Sequence, residues 1–338
     1  MAPRSRGRLS RILPRLLGLA CLVGLVVVVA RVMSDDTAGG GSSGGGASDA
    51  TAGEVARSDA FGVTTTSSPL PAGCETVTVS PPGAADQYEG DLCVPDGAVN
   101  DTAVVLVHGG GGYGGRRSDL RAWAEVYRQA GYATLSTDYL IFDETTRSPV
   151  YPEPEQDVKA AVQWLRGEGP VHGVPAEHVV VHGISAGARL GGQLEVTPDD
   201  PYYQDTELWP ETSDAIDGFI GFYGYYSGLQ FDEERYYGGP QDSPDPLVRG
   251  RWERADSTAM AAGAVAPVLL VHGADDGLVA ADQSEGFGAA LEAAGVDVTT
   301  RILPGEGHAF DLAEDGSLSP TGEALAPDVL AWLRDHVG

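Results

Sequence analysis

From residue 103 onward the chain alternates between two hydrophobic periods. Ala103-Val104-Val105-Leu106-Val107, Val179-Val180-Val181 and Pro267-Val268-Leu269-Leu270-Val271 are short apolar runs rich in β-branched side chains, and residues 132–137, 216–223 and 298–303 have the same character in diluted form. Such runs predict strands buried on both faces of a sheet. Between them, residues 118–129, 155–166, 283–294 and 322–337 read as helices; in the second of these, Val158, Ala161, Val162 and Leu165 fall on one face. Ser118 stands where it would cap the first helix, and Gly131 where it would close it. A further helix, built from small residues, is expected after Ser185. Strand and helix take turns throughout, which predicts the α/β class, a mostly parallel sheet covered by helices on both faces. Upstream, Thr76-Val77-Thr78-Val79 and residues 88–94 flank Pro81-Pro82-Gly83-Ala84 and predict an antiparallel N-terminal hairpin. Residues 197–215 and 224–262 break the rhythm. They are rich in proline and hold Tyr202, Tyr203, Tyr225, Tyr226, Tyr236 and Tyr237, and are expected to form a short, irregular, aromatic-rich lid or pocket wall.

The chain before the hairpin is organised differently. Arg4, Arg6, Arg8, Arg11 and Arg15 precede an uninterrupted apolar run over residues 16–30, the pattern of a signal peptide or signal-anchor, and Val28-Val29-Ala30 is an acceptable cleavage site. Positive charge ahead of the run predicts that the downstream chain crosses the membrane. The expected location is therefore extracytoplasmic, either membrane-anchored by the N-terminal helix or secreted after cleavage, with membrane contact only through this segment. Residues 34–73, which include Gly39-Gly40-Gly41-Ser42-Ser43-Gly44-Gly45-Gly46, cannot bury a core and read as a flexible linker. The expected plan is a targeting segment over 1–33, a linker over 34–73 and a catalytic domain over 74–338.

Composition adds two constraints. The formal net charge is −28, and six of the 21 basic residues lie in residues 1–33, which hold no carboxylate. The remaining 15 face all 49 acidic residues, a surface that repels phosphodiester backbones, so no nucleic-acid partner is expected. Lys159, the only lysine, reads as a compositional bias. Of three cysteines, Cys21 lies in the apolar run, whereas Cys74 and Cys93 flank the hairpin and would face each other across its strands. In an oxidising compartment their pairing would contribute ~3 kcal/mol through loop closure.

The candidate chemistry lies at strand ends. Gly183-Ile184-Ser185-Ala186-Gly187 follows the valine strand and precedes a small-residue segment suited to a close-packed helix. That is the strand, sharp turn and helix which the G-x-S-x-G nucleophile elbow requires. A serine hydroxyl needs a base, and His308, in a glycine-flanked loop after the last strand, is the candidate; His336, on the terminal helix, is the poorer one. The base in turn needs a carboxylate, for which the spacing in His272-Gly273-Ala274-Asp275-Asp276 selects Asp276, with Asp275 the alternative. His108-Gly109-Gly110-Gly111-Gly112 lacks the lysine or the spacing of a phosphate or dinucleotide loop, and no cofactor is expected. Its bare backbone amides suit an oxyanion hole formed by Gly110, Gly111 and Ala186. Val-His-Gly ends three strands, at His108, His182 and His272, but without metal-ligand spacing, so no metal is expected.

These four motifs, taken in order, make residues 103–338 resemble the α/β-hydrolases, in particular the serine carboxylesterases related to hormone-sensitive lipase and the compact acetyl and feruloyl esterases. The lipase branch usually carries an acid where this chain has Ile184, and adds a helical cap that residues 34–73 cannot form; both departures favour the compact esterases. Dienelactone hydrolases are similar in outline but use a cysteine nucleophile. The resemblance implies a serine carboxylesterase acting on a small-molecule ester that is neutral and small or aromatic. A prolyl-oligopeptidase-like peptidase shares the order Ser, Asp, His but usually carries a propeller for which residues 34–102 are too few. A catalytically silent binding module on the same fold is the third reading.

Overall fold

The computed structural model describes residues 70–80, 88–142, 148–204, 209, 211–228 and 233–337. The apolar N-terminal run, Cys21, nearly all of the Gly/Ser-rich segment and the proline turn of the hairpin lie outside the described residues. Eight strands form one sheet: β1 (Cys74–Thr78), β2 (Glu89–Cys93), β3 (Thr102–Val107), β4 (Ala133–Thr137), β5 (His178–Ile184), β6 (Gly218–Phe222), β7 (Val268–Gly273) and β8 (Val298–Leu303). Their order across the sheet is β1-β2-β4-β3-β5-β6-β7-β8. β1, β2 and β4 pair antiparallel, and every pairing from β4 to β8 is parallel. Cys74 stands directly opposite Cys93 in this register, and the two are joined by a disulfide.

The unbroken apolar runs become central strands because helices cover both faces. β3, β4, β6 and β7 are buried at every position. On β3 the side chains of Ala103, Val105 and Val107 enter one core, with α2 (Glu153–Gly167), α3 (Ala186–Val196) and α6 (Asp282–Ala294). Val104 and Leu106 enter the other, against α1 (Arg121–Gln129) and α7 (Pro320–His336). Each fully buried Val or Leu contributes ~1.5–3 kcal/mol, so the twofold alternation fixes the register: a slip of one residue would exchange the two cores.

Two expectations change. Ser118 does not cap a helix. A short 3₁₀ turn (Arg117–Leu120) precedes α1, held by the Asp119 carboxylate accepting from the Arg116 amide at 3.0 Å, while the Ser118 hydroxyl is buried without a partner. Residues 224–262 are not irregular throughout, since they contain α4 (Glu233–Tyr237) and α5 (Pro246–Arg254). The start of α5 uses Asp245, whose carboxylate accepts from the Leu247 amide at 2.9 Å, with Pro246 in the first turn where no N–H is needed. Tyr203, Tyr236 and Tyr237 join Tyr151, Val248 and Trp252 in a small apolar cluster of their own. Lys159 is structural: its buried ammonium donates to the Thr197 carbonyl at 2.6 Å and to Asp214 Oδ1 at 2.7 Å, tying α2 to the segment after α3. Among the described residues no helix is long and apolar enough to cross a membrane.

The sheet changes winding direction between β3 and β5, since β4 lies on one side of β3 and β5 on the other. Crevices beyond the carboxyl ends of strands form at such a switch point. In register, Val107 is the partner of Gly183, so the glycine loop after β3 emerges beside the turn after β5.

Candidate active site

Ser185 occupies the turn between β5 and α3 with φ 50° and ψ −117°, a conformation that L-residues rarely adopt. Its neighbours permit it. A Cβ on Gly183 would lie 2.3 Å from the Gly187 carbonyl oxygen, and one on Gly187 would lie 2.1 Å from that of Val107. Strand and helix therefore approach closer than any side chain allows. The Ser185 amide donates to Phe222 at the end of β6 (2.9 Å), which anchors the turn from the other side.

The structure brings Ser185, His308 and Asp276 together. The Ser185 hydroxyl lies 3.0 Å from His308 Nε2, and His308 Nδ1 lies 2.7 Å from Asp276 Oδ2. The carboxylate fixes the proton on Nδ1, leaving Nε2 to accept from the serine. Asp276 Oδ1 accepts from the amides of Leu278 and Val279 at 2.8 and 2.9 Å. Burial alone would raise the pKa of Asp276, but the Val279 amide, His308 and the Leu278 amide together hold it below the usual carboxylate value. Asp275 takes no part: it is exposed, and its own amide is spent on the Glu306 carbonyl. His336 is also elsewhere, paired with Asp297 at 2.9 Å.

Two further groups brace this relay. His272, buried at the end of β7, places Nε2 3.0 Å from the Val279 carbonyl and 3.2 Å from Asp276 Oδ2, while Ser284 Oγ lies 2.7 Å from its Nδ1. Burial lowers its pKa and keeps it neutral. With the proton on Nε2, the N–H faces the triad carboxylate and the serine hydroxyl donates to Nδ1. Behind His308, Tyr223 sits at φ 39° with its ring 4.7 Å from the imidazole. Its hydroxyl donates to buried Asp311 at 2.5 Å, which also accepts from Trp123 Nε1 at 2.8 Å. Burial raises the Asp311 pKa against these hydrogen bonds.

The loop after β3 abuts the nucleophile, since a Cβ on Gly109 would lie 3.1 Å from that of Ser185. Gly110 (φ 109°) turns the loop and accepts from the amides of Tyr113 and Gly114 at 3.0 and 3.1 Å. Gly111 and Ala186 line one narrow cleft together with Tyr113, Tyr139, Tyr225 and Tyr236. Ala186 opens α3, where the first N–H groups have no partner within the helix and the dipole favours negative charge. Gly111 and Ala186 thus share a cleft, and Gly110 belongs to the loop that abuts the serine through Gly109. Among the described residues no cluster of His, Cys, Asp or Glu is placed to hold a metal.

Sequence reasoning missed Tyr223, Asp311 and the pair Arg189–Glu155, whose Nη1 and Oε1 lie 2.9 Å apart beside the cleft. Asp311, three residues after His308, was the one with a local signal.

A strained serine, a buried carboxylate and an oriented imidazole, carried in this order after the ends of parallel strands, form a Ser-Asp-His triad on an α/β-hydrolase fold. The chain belongs to the BD-FAE family, whose sequence model matches residues 91–291. It is similar to esterase LipC of Mycobacterium tuberculosis, at 30% identity over 238 residues that cover 66% of this chain and 56% of LipC. It is also similar to the probable carboxylic ester hydrolase LipM of the same organism, at 24% identity covering 72% of this chain and 58% of LipM. The chain therefore spans little more than half the length of these relatives. Among solved structures, native esterase Est2 of Thermogutta terrifontis superposes with a TM-score of 0.62 at 20% identity, covering 78% of this chain and 91% of that one. That likeness is one of fold.

Proposed function

We propose that the protein is an exported serine carboxylesterase that hydrolyses a neutral carboxylic ester with a small or aromatic acyl group. The observation that carries the reading is the relay from Ser185 Oγ to His308 Nε2 at 3.0 Å and from His308 Nδ1 to Asp276 Oδ2 at 2.7 Å. As Ser185 attacks the ester carbonyl, His308 takes its proton and Asp276 stabilises the imidazolium. The developing oxyanion is met by the amides of Gly110, Gly111 and Ala186. His308 then protonates the departing alkoxide, leaving an acyl-enzyme on Ser185. Water, deprotonated by His308, attacks the acyl carbon and releases the acid. The narrow cleft with its four tyrosine walls supports a small or aromatic acyl group over a long chain.

Replacing Ser185 by Ala is expected to leave folding intact while cutting hydrolysis of p-nitrophenyl acetate by a factor on the order of 10⁴–10⁶. It should also abolish labelling by a fluorophosphonate probe. A folded Ser185→Ala protein that keeps its activity removes the proposal. Export is supported by the arginine-led apolar run of residues 16–30 and by the Cys74–Cys93 bond, since disulfides persist in oxidising compartments. Fractionation with a C-terminal tag checks it; a purely cytoplasmic pool sinks it.

A further inference from the structure

The cleft beside the oxyanion amides contains a buried polar group that the reaction above does not use. Arg189 stands one turn after Ser185 on α3, its amide donating to the Ser185 carbonyl at 3.1 Å. The residue is only 5% exposed, yet its side chain lines the same cleft as Gly111 and Ala186. Nη1 donates to Glu155 Oε1 at 2.9 Å, and Nη2 donates to the Tyr236 hydroxyl at 2.7 Å. The Tyr236 hydroxyl in turn lies 3.3 Å from Glu155 Oε2, and the guanidinium carbon lies 5.0 Å from the Tyr236 ring centre. A guanidinium has five N–H donors. Two are used here among the described residues, and the fork is held rigid for the others.

The charge of this group matters as much as its donors. Glu155 is buried against Arg189 and cancels its charge, so the cleft wall is a neutral but strong donor. An incoming carboxylate would meet the field of Glu155. An uncharged oxygen acceptor meets only the N–H groups, and a plain alkyl chain would cover them without satisfying them.

The side of the ester that enters is also fixed. The leaving oxygen must lie at His308, which protonates it, and no residue of the segments 272–279 or 304–310 lines the cleft. The cleft therefore receives the acyl arm. We propose that Arg189, held by Glu155 and Tyr236, is the specificity residue of the acyl pocket. It selects a short acyl group bearing an uncharged oxygen acceptor, such as a ketone or ether, over the matching alkyl or carboxylate arm. The assignment rests on the esterase reading above.

The test compares methyl 4-oxopentanoate, methyl pentanoate and monomethyl succinate, each rate divided by the ester's own alkaline hydrolysis rate. p-Nitrophenyl acetate serves as a separate check of esterase activity. The corrected kcat/KM of the 4-oxo ester should exceed that of the pentanoate by about tenfold or more, as expected for a hydrogen bond to a charged donor, with the succinate slowest. Arg189→Lys, which keeps a cation beside Glu155 but loses the fork, should bring the ratio close to one. Equal corrected rates in the wild type, a fastest succinate, or an unchanged ratio in a folded Arg189→Lys protein overturns the assignment while p-nitrophenyl acetate turnover leaves the esterase reading standing. If the variant does not fold, the wild-type ratio decides. No turnover of p-nitrophenyl acetate by folded protein overturns both.

Discussion

Three strands of this sheet, β3, β5 and β7, end in the same tripeptide, and the three ends do different work. After β3, His108 stacks on Tyr139 with ring centres 4.2 Å apart, and the chain opens into the glycine loop. Near the end of β5, His182 lies among Trp123, Tyr127 and Phe222, and the chain then turns into Ser185. At the end of β7, His272 faces the triad acid. The glycines behave alike: a Cβ on Gly109 would press on Ser185, one on Gly183 on the Gly187 carbonyl, and one on Gly273 on the Glu306 carbonyl at 2.4 Å. The glycine is what a crowded strand exit requires, because another backbone crosses there. The histidine is only a side chain aimed at whatever the neighbouring strand supplies, so the same local sequence yields a loop pillar, a buried aromatic filler and a brace for Asp276.

The β7 end should be the most sensitive to change. Asp276→Asn removes the charge that fixes the His308 tautomer and is expected to lower kcat by on the order of 10³–10⁴, measured on p-nitrophenyl acetate, with the fold retained by circular dichroism. At the β3 end, Gly110→Ala would place a Cβ 2.2 Å from the Gly114 carbonyl oxygen at a φ of 109°, forcing the loop to move. The expected loss in kcat is on the order of 10²–10³, that of a displaced oxyanion donor. Gly112→Ala shares the positive φ, at 82°, but its added Cβ meets nothing within 4 Å; it is the control for backbone strain alone and should cost less. An equal loss in both variants would mean that general loop strain, and not Gly110 itself, sets the rate. The comparison between histidines is sharpened by His272→Leu, expected to lower kcat about tenfold, the equivalent of ~1.4 kcal/mol. His272→Gln, which restores an amide donor near the Nε2 position, should recover part of that loss. Identical kcat in the two variants would reduce His272 to a filler like His182.

The range of the interactions decides how much of this could be read from the chain. Ser185 was legible because its strain and its glycines lie within five residues. The alternation of Val104 and Val105 between two cores comes from the strand period alone. Asp276 and Asp275 differ by one position, and only the approach of the 304–310 loop, with Asp275 donating its amide to Glu306, separates them in space. Arg189 is 34 residues from Glu155 and 47 from Tyr236 along the chain, and no local spacing announces such a group. α4 and α5 were hidden because Gly238, Gly239, Pro240 and Pro246 make a helix-poor composition, although the Asp245-Pro246 start is itself a helix signal. The fold was thus written in local periods, and the walls of the cleft in long-range pairs.

The smallest effect on catalysis is expected at His182, where the comparison predicts a change in stability alone. Its imidazole is fully buried, its Nδ1 lies 3.0 Å from the Tyr127 hydroxyl, and its Nε2 has no hydrogen-bond partner. Burial lowers its pKa to about 3, against an ordinary value near 6.5. The folded state therefore takes up a proton on this ring far less readily than the unfolded chain does. Above pH ~6.5 both states hold it neutral and its contribution is complete; as the pH falls from there toward 3, protonation of the unfolded chain draws the equilibrium away from the fold. At ~1.4 kcal/mol per pH unit, the loss between pH 6.5 and 4.5 amounts to ~2–3 kcal/mol. Replacing His182 by Leu removes this share. The variant should start lower at pH 7.5, because Tyr127 loses its partner, but lose several degrees less in Tm than the wild type on going to pH 4.5. His108 and His272, also lowered by burial, keep their own pH dependence in both proteins and cancel in the difference. The activity of His182→Leu at pH 7.5 should stay within about twofold of wild type, since the ring touches no reacting group. Parallel Tm curves for the two proteins would show that His182 is charged or accessible in the fold, and the contrast between the β5 and β7 histidines would fail.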